Sequence, residues 1–591
     1  MIYRVFLTIV LLLCLPSIGA SQKEGDSWVL GYDGLGAERF SIMFVDFKSA
    51  ELKVTLHYNY NMSIRESASN ICDDGGDPII WTNGMEVVGV NDQSISDTIA
   101  YDGQFGYWIY YYDDVYGQPG GFPKHDGAII LPVPNVDNVY SVLYHSSDVH
   151  PDVYFAVNEV LEARVRVDDN NSYTLLYQDS LIGQHEWYTD RIEAVKHANG
   201  RDWWIVLFES DSPTYYCFLL TPAGIELSHS SETNLAVKYG LGQACFSPFG
   251  NYFARMDAIT LDEGQYLSLY SFNRCTGVFD LLEQFQTSAG FFTGTSFSPS
   301  ERYLYGNNND TLWRWDVQSE DIPSSKVVVG VYDGFIEPGP GRFGTFFGAQ
   351  MLAPDGRIYM ITPNGSCDFL HVIEQPDLSI EECKFLQHSI DLTVANGRTA
   401  PNLPNFRLGS LDGSPCDTLG IDNIPVSRWR YEEDEPGWYH DIRFTDLSFY
   451  DPQTWFWDFG DGETSDEPSP VHSFEDGLYH VCLTVSNANG TDSTCQWIEI
   501  LPTGTHDASD SDTDLSVRPN PFDTELYIES KSGVFRTASF HLFDMYGRLI
   551  LYQPKIPIPL KISLPSLPSG MYLCRIEEAD GTSYSFKVMK Q

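Results

Sequence analysis

Three segments of the chain repeat one pattern: ACFSPFGNYFARM from position 244, TSFSPSERYLYGNNNDTLWRWDV from 295 and QMLAPDGRIYMITPNG from 350. Each passes from an apolar or aromatic strand into a Pro-containing turn, then out through Tyr or Phe on a fresh strand. The turn reverses the chain, and the alternating residues after it bury one face against the next unit. The spacing is roughly fifty residues, the range in which four-stranded units close around an axis as a propeller. Between these segments lie more short strand-like runs, such as RDWWIVLFES, TYYCFLLTPAGIEL and KVVVGVY, and no long helical period intervenes. Aromatics at 14%, with 48 Gly and 33 Pro, suit strands broken by turns. The chain is expected to be all-β, with a propeller over residues 26–395 of about seven blades. A two-sheet sandwich array is the alternative.

At 591 residues the chain is too long for one core. The length suggests about three or four domains. Its formal charge of −47 repels phosphate backbones and argues against nucleic acid as a partner. The first 20 residues read as a signal peptide: Arg4, an apolar run from Val5 to Leu15, then Pro16 and small residues, with cleavage after Gly19 or Ala20. That run is too short to span a bilayer, and no other run of about twenty apolar residues occurs, so the chain is read as exported and not transmembrane. Beyond Cys14 ten cysteines remain, none in a C-x-x-C pair, which removes the spacing of zinc ribbons and thioredoxin-type sites. In an exported chain they can pair, and the local candidates are Cys482 with Cys495 and Cys367 with Cys383.

Residues 426–502 form a separate unit. LYHVCLTVSN and STCQWIEI alternate cleanly across NANG, a hairpin signal, and evenly spaced short strands suggest a small Ig-like sandwich. WDFGDG, with HSF and GLYHVCLTVSN after it, resembles the polycystic kidney disease (PKD) repeat domain. An acidic, polar linker at 503–513 leads to 514–591, where RPNPF, LFDMYGRLI, LPSGMYLCRI and KVMK resemble, in order and spacing, the C-terminal sorting domain of type IX secretion. That resemblance implies a small β-sandwich handled by the type IX machinery, with export to the cell surface or beyond. It implies architectural roles for Pro519, Asn520, Pro521, Gly547 and Gly570, and Tyr572 belongs to the same signature. PIIWTNGMEVVGVNDQSISDTI and KHDGAIILPVPNVDNVYSVLYHSSD resemble early blades of degenerate propellers from secreted proteins of Bacteroidetes-type bacteria. PNFRLGSLDGSPCDTLG, within a connecting segment at 396–425, resembles the segment C-terminal to those propellers.

The most acidic aromatic run, WFWDFGDGETSDEP (455–468), is read as architecture. Trp455, Trp457 and Phe459 share one strand face, and Trp457 is placed in the sandwich core. Gly460 and Gly462 permit a sharp turn in which Asp458 and Asp461 accept backbone N–H groups. The EF-hand spacing fails here, so Ca2+ is a minor alternative, as it is at the acidic turns 72–77 and 110–117. His185 and His197 lack metalloprotease spacing, and no G-x-S-x-G, P-loop or dinucleotide motif occurs. No catalytic, cofactor-binding or metal-ligating residue is assigned. The aromatic stretch 101–122 is either strand packing or a stacking surface for sugar or peptide. The expected function is non-enzymatic binding of extracellular protein or polysaccharide by the propeller and PKD modules. The alternative is a secreted polysaccharide or peptide hydrolase with its site in the propeller funnel.

Overall fold

A computed structural model describes residues 23–31, 41–48, 52–57, 60, 62–64, 67–96, 126–150, 153–182, 189–209, 212–237, 242–257, 265–288, 293–337, 344–364, 367–433, 441–475, 477–500, 515–518, 524–530, 536–544, 549–564, 567, 570–578 and 583–590. The signal segment, the aromatic stretch 101–122, the acidic turn 110–117 and His185 lie outside them. By contact the chain divides into two compact units. The first is Met1–Arg430 with Asp446–Thr454 and Val485–Ser493, and the second is the remainder. Apart from two single-turn 3-10 segments, the described secondary structure is all strand.

The first unit is a propeller of seven blades among the described residues. Blade 1 is Ser27–Leu30, Ile42–Asp46 and Lys53–His57, and blade 2 runs from Ser69–Cys72 to Gln93–Ser96. Blades 3 and 4 begin at Ala128–Pro132 and Thr189–Lys196, and a single pairing of Val157 with Thr189 joins them. Blades 5, 6 and 7 begin at Ala244–Phe246, Gly294–Phe297 and Gln350–Leu352. The first strands of blades 2 to 7 lie side by side in order around the axis. Apolar residues on facing sheets fill the gaps between blades. In blade 5 Phe253 pairs in register with Phe246 and Tyr270, and Phe253 stacks on Phe208 of blade 4 at 5.4 Å. The ring closes where Trp28, Met43 and Phe47 of blade 1 pack with Ala349, Tyr359 and Leu392 of blade 7.

Closure draws on the segment after blade 7. Residues 397–407 touch the Ser27–Leu30 strand at its two flanks, while Asn70 of blade 2 serves its free edge, Val29 N–H donating to Asn70 Oδ1 (3.0 Å) and Asn70 Nδ2 to Ser27 O (2.9 Å). Gly397 N–H donates to Gly31 O (2.6 Å) at one end, and Arg407 pairs with Asp26 at the other. Pro401 and Pro404 lack N–H groups, so no regular ladder forms. Asparagine side chains supply the bonds instead. Asn402 Nδ2 donates to Ile192 O of blade 4 (2.8 Å) and Asn405 Nδ2 to Pro248 O (2.6 Å). Asn402 N–H also donates to Ala68 O (2.7 Å), and its carbonyl accepts from Ser69 Oγ of blade 2 (2.8 Å). Among the described residues blade 1 has three ladder-forming strands, and this largely buried segment ties it to blades 2, 4 and 5.

The cysteines correct one expectation. Cys367 and Cys383 are both free and buried. Register explains it: Cys367 lies opposite Asn396, whereas Ile373 lies opposite Phe385, next to Cys383. The two thiols therefore sit at opposite ends of one hairpin, about 20 Å apart. Cys275 is instead bonded to Cys416, 141 residues away, and Cys482 to Cys495.

The PKD-like sandwich has one sheet of Trp429–Glu433, Asp441–Asp446 and Val471–Ser473. The other is ordered Thr464–Ser465, Thr454–Asp458, Gly477–Ser486, Thr491–Ile500. The C-terminal module is a second small sandwich. Its three-stranded sheet is Leu515–Arg518, Glu525–Ser530 and Leu560–Ser563, and its four-stranded sheet is centred on Arg536–Asp544 and Gly570–Glu578. Leu526, Ile528, Phe540, Leu542 and Ile576 make its core. Among the described residues no helix is long and apolar enough to cross a membrane.

Candidate functional site

The WFWDFGDG strand places its residues by alternation. Trp457 is fully buried, with Phe444 5.1 Å away, and its Nε1–H donates to Glu467 O at 3.0 Å. In the turn, Asp458 Oδ1 accepts Gly460 N–H (3.0 Å) and Asp461 Oδ1 accepts Glu463 N–H (2.9 Å). Gly460 has φ +79°, and a Cβ there would lie 2.7 Å from His480 O, so only glycine fits. The second Asp461 oxygen lies 2.7 Å from His472 Nε2, and the His472 ring lies flat on Phe459 at 3.9 Å. Burial pushes the Asp461 carboxyl up. The bonds from His472 and Glu463 N–H outweigh it and hold the group below its ordinary range. These carboxylates are used to shape the turn. His472, part of the quoted HSF motif, has a partner that sequence reading does not supply.

The same alternation builds a second face. Val481, Leu483 and Val485 point into the sandwich, so Leu478, His480 and Cys482 point out. Phe456, opposite in sense to Trp457, is 50% exposed, Leu478 62% and Trp497 64%. The His480 and Trp497 rings lie 4.6 Å apart at 39°. The Cys482–Cys495 bridge ties their two strands together. The result is an outward patch of rings and aliphatic carbon on a rigid sheet, its largest residues left open by the described part of the chain. Such a patch can stack on flat, apolar faces of a ligand.

In the propeller, polar groups near the axis bond one another. Gln243 Oε1 accepts the N–H groups of Thr295 (3.1 Å) and Gln350 (2.9 Å), and its Nε2 donates to Gln350 O (2.7 Å), tying blades 5 to 7. Asp126, Arg191 and Glu193 are buried on blades 3 and 4, with Arg191 Nε 3.9 Å from Asp126 Oδ2. Ile192 N–H donates to Asp126 O (3.1 Å), so these groups meet where the two first strands adjoin. The acidic turn 72–77 is internally bonded. Asp73 Oδ1 accepts N–H from Gly75 (2.8 Å) and Asp77 (3.0 Å), and Asp77 pairs with Lys48 at 2.6 Å. His197 Nδ1 accepts Asn199 N–H (3.0 Å) and its ring packs beside Trp204.

Of the sorting-motif residues, Gly570 opens the strand Gly570–Glu578 and Tyr572 is buried in that module's core. Pro519, Asn520, Pro521 and Gly547 lie outside the described residues. Residues 437–501 match the PKD domain family, and residues 516–591 match the secretion system C-terminal sorting domain family. The chain carries a PKD domain and a type IX sorting domain. It is therefore exported by type IX secretion to the cell surface or the extracellular space. No curated protein matches the chain. Among solved structures, the PKD1 domain of a Vibrio cholerae metalloprotease is 28% identical, covering 13% of this chain and 96% of that one, with a TM-score of 0.12. A Lactobacillus plantarum protein is 11% identical over 64% of this chain and 97% of its own, with a TM-score of 0.36. A periplasmic gluconolactonase from Pseudomonas aeruginosa is 13% identical over 63% of this chain and 96% of its own, with a TM-score of 0.34.

Proposed function

We propose that this exported protein is a non-enzymatic binding protein. In this reading the outward face of its PKD sheet engages an extracellular polysaccharide or protein. The observation that supports it is the exposed set Phe456, Leu478, His480 and Trp497 on a disulfide-braced sheet. Aromatic rings held rigid lose little entropy on binding, and each can cover a large apolar area of ligand. The test is a glycan and peptide array probed with the mature full-length chain, with and without calcium. Specific retention that Trp497→Ala abolishes supports the reading. Retention unchanged by Trp497→Ala and Phe456→Ala together refutes it.

The second reading, a secreted hydrolase, draws on Asp126, Arg191 and Glu193 converging between blades 3 and 4. Glycoside or peptide hydrolysis uses two carboxylates, and Asp126 and Glu193 are the two this reading assigns to it. Turnover of any array-identified ligand that Asp126→Asn or Glu193→Gln abolishes would favour it over simple binding.

A further inference from the structure

The Cys482–Cys495 bridge has a third ligand beside it. His480 Nδ1 lies 3.9 Å from Cys482 Sγ, and the nitrogen and both sulfurs lie within 4.8 Å of one another. Among the described residues no other group of three His, Cys, Asp or Glu side chains brings its ligand atoms together in this way. The cause is local. His480 and Cys482 are two apart on one strand and so share its outward face, while Cys495 meets them from the neighbouring strand, which ends the sheet. We infer that, once this bridge is reduced, His480, Cys482 and Cys495 hold one thiophilic d10 cation of the zinc class.

The donor set suits that cation and not a hard one. Two thiolates and one imidazole are the ligands of Zn2+, whereas Ca2+ and Mg2+ take oxygen. The bridge lies on the exposed face, so a small thiol can reach it. A thiolate attacks one sulfur, the S–S bond breaks and the other cysteine leaves as thiolate. A second thiol releases the first cysteine, so that two external thiols become one external disulfide and the protein gains two Cys–SH groups. Binding of the cation then displaces two protons. Tetrahedral ligation at about 2.3 Å needs the sulfurs roughly 3.8 Å apart. The Cα atoms are 4.1 Å apart, so rotation of the two side chains provides that separation without moving strands. Val481, Leu483 and Ile498 face the other way and keep the sandwich core intact. The free cysteines do not compete: burial pushes the thiols of Cys72, Cys217, Cys245, Cys367, Cys383 and Cys574 up. Three protein ligands leave one position open to water or an external ligand.

The test uses the full mature chain, reduced with a phosphine under anaerobic conditions and titrated with Co2+, then with Zn2+. One Co2+ per chain is expected, with a sulfur-to-cobalt charge-transfer band that Zn2+ erases. The oxidised chain should show no band. His480→Ala, which retains the bridge and whose fold is checked by circular dichroism, should weaken Co2+ binding by more than about 10-fold. Cys482→Ser should remove the band. Trp497→Ala should leave it in place, which separates this site from the ligand-binding reading. No band in the reduced wild type, or a band that survives Cys482→Ser with Cys495→Ser, would overturn the assignment.

Discussion

Asp461 and His472 meet at 2.7 Å, and the His472 ring lies within 2° of parallel to Phe459. One carboxylate thus accepts a turn N–H with one oxygen and anchors a neighbouring strand with the other. Because the folded-state pKa of Asp461 is depressed, its contribution is present above the ordinary Asp range, near pH 4, and is lost as pH falls further. Thermal melts of the PKD domain within the full chain should therefore show an acid limb below about pH 4. Asp461→Asn should flatten that limb, and His472→Ala should cost about 1–2 kcal/mol at neutral pH. A melting profile for Asp461→Asn that matches wild type at every pH would contradict this role.

The propeller should lose stability at a higher pH. His371 is fully buried, its Nδ1 accepts His388 N–H at 3.0 Å, and Phe347 lies edge-on 5.2 Å away. Burial pushes its pKa down to about 4, although backbone bonding near Phe346 and Thr345 opposes the shift. The unfolded chain takes up this proton near pH 6.5 and the folded chain only near 4, so stability falls across that window as pH drops. The full loss is about 3 kcal/mol below pH 4. Denaturant midpoints at pH 7 and pH 4.5 should differ, and His371→Asn should shrink the difference.

Ring closure should depend on Asn402. Its side chain serves Ile192 O while its backbone serves blade 2. Asn402→Ala leaves a buried carbonyl without its donor and should cost about 1–3 kcal/mol. Urea unfolding of the full chain measures this, and a change under about 0.3 kcal/mol would show that the contact is incidental.

Removal of residues 514–591 should stop the chain before the cell surface, because the sorting domain is what the export machinery reads. Fractionation and protease shaving of intact cells report the outcome. A truncated chain that remains protease-accessible at the surface would disprove the assignment.

Local rules were enough for much of this protein. The alternation of WFWDFGDG puts Trp457 inside and Phe456 outside, and the left-handed positions of its turn require Gly460 and Gly462. The fifty-residue rhythm implies blades because each turn and strand repeats chemistry that acts over a few residues. Other features needed the folded chain. The closing role of residues 397–407 is hidden by Pro401 and Pro404, which erase any alternating pattern while the segment's partners lie up to 381 residues away. Cys275 finds Cys416 across 141 residues, whereas the nearer Cys367 and Cys383 are held apart by the hairpin that contains them. Periodicity marks Leu478, His480 and Trp497 as facing one way, but it cannot say whether another layer covers them. Sequence spacing thus determined which residues share a face and where the chain must turn. Only tertiary packing decided which faces stay open and which distant segments meet, because those outcomes depend on loop closure and burial summed over the whole fold.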